Sequence, residues 1–114
     1  MAQPHQKLRR LEERFAREDK NRRDVGLAHL VQSAEGRFYL WSLLEACRVF
    51  AQPFNGNALE TAFRCGEQNI GQQILAHLNE VSPDAFFLMM KENQDVRLER
   101  NNARNRARGD ATED

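Results

Sequence analysis

Four arginines, Arg97, Arg100, Arg104 and Arg108, recur at intervals of three and four near the end of this sequence. On a helix that spacing puts them on one face. A row of planar, permanently charged forks suits phosphate oxygens or an acidic partner surface. The plainer alternative is a solvated helix end whose cations meet the negative end of the helix dipole. The acidic terminus, Asp110 to Asp114, is placed to fold back and mask the row.

The other residue types that could do chemistry are isolated. His29 and His77 lie on amphipathic stretches with no acid or nucleophile at a telling distance, and read as surface or edge histidines. Cys47 and Cys65 sit in apolar helical contexts, form no CxxC, and have no metal-ligand spacing with His5, His29 or His77. They read as free cysteines packed as small hydrophobes. There is no nucleophile elbow, phosphate loop or HExxH. These absences leave no catalytic, cofactor-binding or metal residue to name and no small-molecule ligand, and the expectation is a non-enzymatic protein.

Lysine plus arginine and aspartate plus glutamate balance at 17 each over 114 residues. The balance is uneven along the chain. Residues 1–24 carry a net of +3, residues 25–90 a net of −3, residues 91–108 a net of +3 and the last six −3. A neutral chain argues against a dedicated nucleic-acid binder, which needs sustained positive potential. Local contacts by the basic arms stay open. No apolar run nears the roughly 18 residues of a membrane span and no secretory core is present, so synthesis in a reducing cytoplasm is expected.

Hydrophobic periodicity is helical almost throughout and strand signals are missing. The expected fold is all-α: a small bundle of about five helices, with a charged helical arm over 1–24, a helical core over 25–90, and a charged helix plus disordered acidic tail over 91–114. Residues 6–22 form the first helix, with Leu8, Leu11 and Phe15 on one narrow stripe. So thin a stripe docks weakly or serves a partner chain. Asp24 is placed to cap a short second helix over 25–32, and Ser33 to cap a third. That third segment, GRFYLWSLLEACRVF, is apolar on most sides and reads as the central helix, with Trp41 its largest anchor.

Pro53 stops that helix, and Asn55-Gly56 supplies a tight turn. Asn57 caps the next helix, with Glu60 three residues on as in a capping box. Phe50 and Phe54 bracket the turn and pin it to the core, making residues 50–57 a rigid corner between two helices. The fourth helix, 58–80, carries Leu59, Phe63, Gly66, Ile70, Ile74, Leu78 and Val81 at helical intervals. Gly66 and Gly71 inside it each cost roughly 1 kcal/mol relative to alanine and mark close approach of another backbone. Ser82-Pro83-Asp84 starts a fifth helix, anchored by Phe86, Phe87, Leu88, Met89 and Met90. The tail after Gly109 is expected to be disordered.

The block GRFYLWSLLEACRVFAQPFNGNALETAFRCGEQNIGQQIL resembles a family of small proteins encoded by tailed, mainly short-tailed bacteriophages near the portal and head genes, typified by a Bordetella phage protein. The pattern that carries the likeness is Glu35-Gly36-Arg37, Trp41, Leu43, Leu44, Phe54, Gly56-Asn57, Phe63, Gly66 and Gly71. It covers about residues 30–80 and leaves the arms out. The resemblance implies a virion protein: a minor structural or DNA-ejection-associated component near the portal, acting through helical contacts with portal, head or ejection proteins, and open to homo-oligomerisation. The competing expectation is a nucleic-acid-binding packaging or regulatory protein that contacts DNA through Arg97, Arg100, Arg104 and Arg108.

Overall fold

The computed structural model describes residues 3–51 and 56–113. Four helices in chain order, α1 (Pro4–Leu30), α2 (Ala34–Ala46), α3 (Ala58–Val81) and α4 (Pro83–Glu113), make up the fold, with no strand among the described residues. The class is all-α as expected, but the described residues form four helices and not five.

The lost break lies in α1. Asp24 does not cap a second helix, because its carboxylate serves another element. It accepts from Lys20 Nζ at 3.0 Å and meets His77 Nε2 of α3 at 2.7 Å. Gly26 alone, at roughly 1 kcal/mol, does not interrupt the helix. The boundary expected at 24/25 therefore falls inside α1, and that at 90/91 inside α4. α4 also stays helical across Gly109 to Glu113, where a disordered tail was expected. A helix extended that far does not return over its own arginine row.

The capping signals that depend on local chemistry appear where they were read. Ser33 Oγ accepts from Gly36 N at 3.0 Å, and Asn57 Oδ1 accepts from Glu60 N at 3.0 Å. Pro83 opens α4 with Asp84 in its first turn. The end of α2 is different. It stops at Ala46, well before Pro53, because Arg48 adopts φ +56°. Arg48 N donates to Glu45 O at 2.9 Å and Val49 N to Leu44 O at 3.3 Å. Those two bonds are a Schellman termination with arginine in the left-handed position usually held by glycine. Gln68 of α3 then donates its amide to the carbonyls of Arg48 (3.1 Å) and Ala51 (2.8 Å), tying the corner down. Pro53, Phe54 and Asn55 lie outside the described residues.

The core is small. Leu44, Leu78 and Met89 are fully buried, joined by Val31, Leu40 and Ala85. Trp41 is half-buried on the rim of this cluster and is not its centre, because α2 buries one face (Leu40 and Leu44, one turn apart) and Trp41 sits on its flank. Phe38 and Tyr39 are exposed, so α2 is not enclosed despite its apolar circumference. The 86–90 anchor divides in the same way: Met89 is buried and Phe86 half-buried, while Phe87, Leu88 and Met90 face outward.

α1 and α3 run antiparallel, since Lys20 meets Glu80 and Asp24 meets His77. A single residue, Ser82, turns the chain from α3 into α4. The free part of α1 precedes the core and the free part of α4 follows it. The molecule is 87 Å long, against roughly 46 Å for its longest helix at 1.5 Å per residue, so the two overhangs lead away from opposite ends.

Candidate interaction surface

Two glycines set how closely the helices approach. A Cβ on Gly71 would collide with Val49 Cγ2 and sit 2.7 Å from Cys47 Cβ, so α3 reaches the end of α2 only because residue 71 has no side chain. A Cβ on Gly36 would run into the Leu30 carbonyl where α1 passes into α2. Gly66, expected to mark a close approach, faces open space.

Arg37 locks the opposite corner. Its guanidinium grips Glu92 of α4 in a fork, Nε to Oε1 at 2.6 Å and Nη2 to Oε2 at 3.2 Å, while Nη1 donates to the Val31 carbonyl at 2.9 Å. Glu92 raises the Arg37 pKa above its ordinary value. Sequence reasoning gave Arg37 no task; Glu92 is 55 residues away, and only the Glu35-Gly36-Arg37 pattern pointed to it. On α1 and α3, Lys20 bridges Asp24 and Glu80 (Nζ to Oε1 2.9 Å). The His77 hydrogen bond, then that of Lys20, hold the Asp24 carboxyl below its ordinary range.

These locks place the arginine row. Arg97, Arg100 and Arg104 line one groove of about 460 Å³ together with Trp41, Phe38 and Glu45 of α2. All three arginines are exposed, and Arg104 Nη1 bonds Asn101 Oδ1 at 3.0 Å. Arg108, one turn further on, is exposed and outside the groove. Trp41 donates Nε1 to Glu45 Oε1 at 2.5 Å, and its ring packs on Phe50 at 5.5 Å and Phe86 at 6.3 Å. Phe50 and Phe86 are 6.2 Å from each other, so they gather on one side of Trp41, and both Trp41 and Phe38 line the groove. Nothing in the sequence joins Trp41 to residues 50 or more positions away.

The family model described as Bbp19-like phage protein matches residues 27–92. The chain belongs to that family. The matched segment runs further than the stretch that carries the resemblance, and its last residue is Glu92, the partner of Arg37. It contains Gly36, Gly71, both side-chain caps and the whole core. Most of α1 and the arginine row lie outside it. No curated protein and no solved structure matches the chain.

Of the remaining residues in the pattern, Gly56 takes φ +87° just before the Asn57 cap, and Phe54 is not among the described residues. Phe63 belongs to a stripe that divides along α3. Ile74 and Leu78 enter the core, whereas Leu59, Phe63 and Ile70 remain 84 %, 69 % and 54 % exposed. Among the described residues no helix is long and apolar enough to cross a membrane, and no group of three or more potential ligands gathers to hold a metal ion.

Proposed function

We propose that this phage protein is a non-enzymatic component of the virion or its assembly, a minor structural or DNA-ejection-associated protein that docks near the portal through its helices. The observation that supports this is the outward stripe Leu59, Phe63 and Ile70 within the family-matched segment. Covering each such side chain is worth roughly 1.5–3 kcal/mol, enough for three of them to anchor a partner helix. Gly66 lies on the same stripe with open space above it, which permits a partner backbone to come close. The partner is another phage structural protein (portal, head or ejection protein), and the site of action is the particle. Mass spectrometry of purified virions should detect the chain, and Phe63→Asp should fold normally yet be lost from particles. A chain missing from both virions and assembly intermediates refutes the proposal.

A second reading has its own support in the groove where three arginines face one acid, Glu45. It makes the protein a nucleic-acid-binding packaging or regulatory factor. With at most four arginines on phosphates, the logarithm of affinity should fall against the logarithm of salt with a slope no steeper than about −4. Gel shifts with Arg97→Ala, Arg100→Ala and Arg104→Ala test it, and binding indifferent to those changes dismisses it.

A further inference from the structure

The apolar stripe of α1 faces away from the protein to which the helix belongs. The α1 residues that approach α3 or the core include Lys20, Asp24, Leu27 and Leu30. At 100° per residue, the stripe of Leu8, Leu11 and Phe15 lies roughly 130° around the helix from the centre of that face. Leu8 is 57 %, Leu11 37 % and Phe15 40 % exposed, and Val25, further along the same stripe, is 47 % exposed. The stripe therefore does not extend the intramolecular core.

We infer that this stripe pairs two copies of the chain as a parallel, in-register coiled coil. Spacings of three, four and ten assign Leu8 and Phe15 to heptad position a, and Leu11 and Val25 to position d. The flanking charges then select the partner and its direction. Position g is held by Lys7 and Arg14, and position e by Glu12 and Asp19. In a parallel pair each g residue faces the e residue five positions later on the other chain, so Lys7 meets Glu12 of the second copy and Arg14 meets Asp19 of the second copy. All of these pairs are attractive. In an antiparallel pair g faces g and e faces e, which sets cation against cation and anion against anion.

Lys7, Glu12 and Asp19 have no ion-pair partner among the described residues. Arg14 reaches Glu18 at 3.5 Å in a pair that is 60 % and 59 % exposed, an interaction weak enough to be exchanged. Two charged residues interrupt the stripe, Glu18 at d and Arg22 at a. In the parallel pair each meets its own counterpart, Glu18 against Glu18 and Arg22 against Arg22 of the second copy, so these two layers oppose pairing; the seam rests on Leu8, Leu11 and Phe15, and its direction on the g–e pairs. The pairing uses a different face from the α3 stripe and stands independently of the virion reading.

The test uses the full chain with Cys47→Ser and Cys65→Ser. Light scattering should give twice the 13.2 kDa chain mass at high micromolar concentration. Leu8→Cys should form an intermolecular disulfide with itself readily, and a mixture of Leu8→Cys with Phe15→Cys should give few mixed disulfides. Lys7→Glu with Arg14→Glu should weaken the dimer about tenfold or more, and adding Glu12→Lys with Asp19→Lys should restore it. Circular dichroism confirms that each variant is folded. A monomer at every concentration, a predominance of mixed disulfides, or no rescue by the fourfold swap each overturns the inference, whatever the virion analysis finds.

Discussion

Alanine at Gly66 and alanine at Gly71 should move stability in opposite directions. The two positions are five residues apart in one helix, so the intrinsic gain from removing a glycine is the same at both, about 0.8–1.0 kcal/mol. At Gly66 an added Cβ meets nothing within 4 Å, so the gain is kept whole. For a domain of this size that amounts to a rise of roughly 4 °C in Tm. At Gly71 the methyl would overlap Val49 Cγ2 and press on Cys47 Cβ at 2.7 Å. Val49 can rotate. The Cys47 Cβ is bonded directly to the backbone and yields only if the end of α2 shifts. Overpacking of that kind costs about 1–3 kcal/mol, and a backbone shift belongs in the upper half of the range. After the helical gain, a net loss of about 1–2 kcal/mol remains, and the two variants should differ by about 2–3 kcal/mol. Urea titrations followed by circular dichroism, with equal slopes for all three proteins, give the comparison directly. Equal shifts for both variants, or a stabilised Gly71→Ala, would show that α2 and α3 do not approach as closely as described and would remove the reasoning.

The Arg48 conformation separates cleanly by comparing two truncations that both lose its 3.9 Å contact with Glu67: Arg48→Gly should be about 1 kcal/mol more stable than Arg48→Ala in urea, since only glycine takes φ +56° without cost. Arg37→Ala should lower the urea midpoint, and a double-mutant cycle with Glu92→Ala should show clearly larger coupling than one across the exposed pair Arg9 and Glu13. Asp24 has its pKa depressed in the folded state, so the stability it contributes is present above the unfolded value of about 3.9 and is lost as pH falls through the lower folded value. Urea midpoints measured from neutral pH down into that acid window should therefore fall further in the wild type than in Asp24→Asn.

How much of this was legible depends on how far each cause lies along the chain. Ser33, Asn57 and Ser82-Pro83 announced their helix starts because a cap acts on amides two or three residues away. Asp24 carried the same local signal and misled, since its carboxylate was claimed by His77, 53 residues on. The stop at Ala46 was hidden because arginine gives no hint of a left-handed backbone. Gly71 was read correctly as a close approach and Gly66 was not, and nothing local separates the two. The groove that gathers Trp41 with Arg97, Arg100 and Arg104 depends on the Arg37–Glu92 fork and on the packing of Leu40, Leu44 and Met89, none of which is visible as spacing. The α3 stripe looked continuous because periodicity identifies an apolar face without saying which chain covers it.

That last distinction bears on why α1 keeps its overhang at all. Residues 4–19 are exposed throughout, and an isolated helix of that length is marginal in water. The pairs Arg9–Glu13 and Arg14–Glu18 add only a few tenths of a kcal/mol each. The packed end near Leu27 spares the segment a new nucleation step but adds nothing per residue farther out. If a second copy covers Leu8, Leu11 and Phe15, helix formation and pairing become one equilibrium, and the arm should be ordered in proportion to the dimer present. Amide exchange resolved along the chain tests this coupling. Protection over residues 6–19 should rise with protein concentration, while protection around Leu44, Leu78 and Met89 should not change. An arm equally protected at all concentrations would mean that the helix persists without a partner, and the stripe would need another explanation.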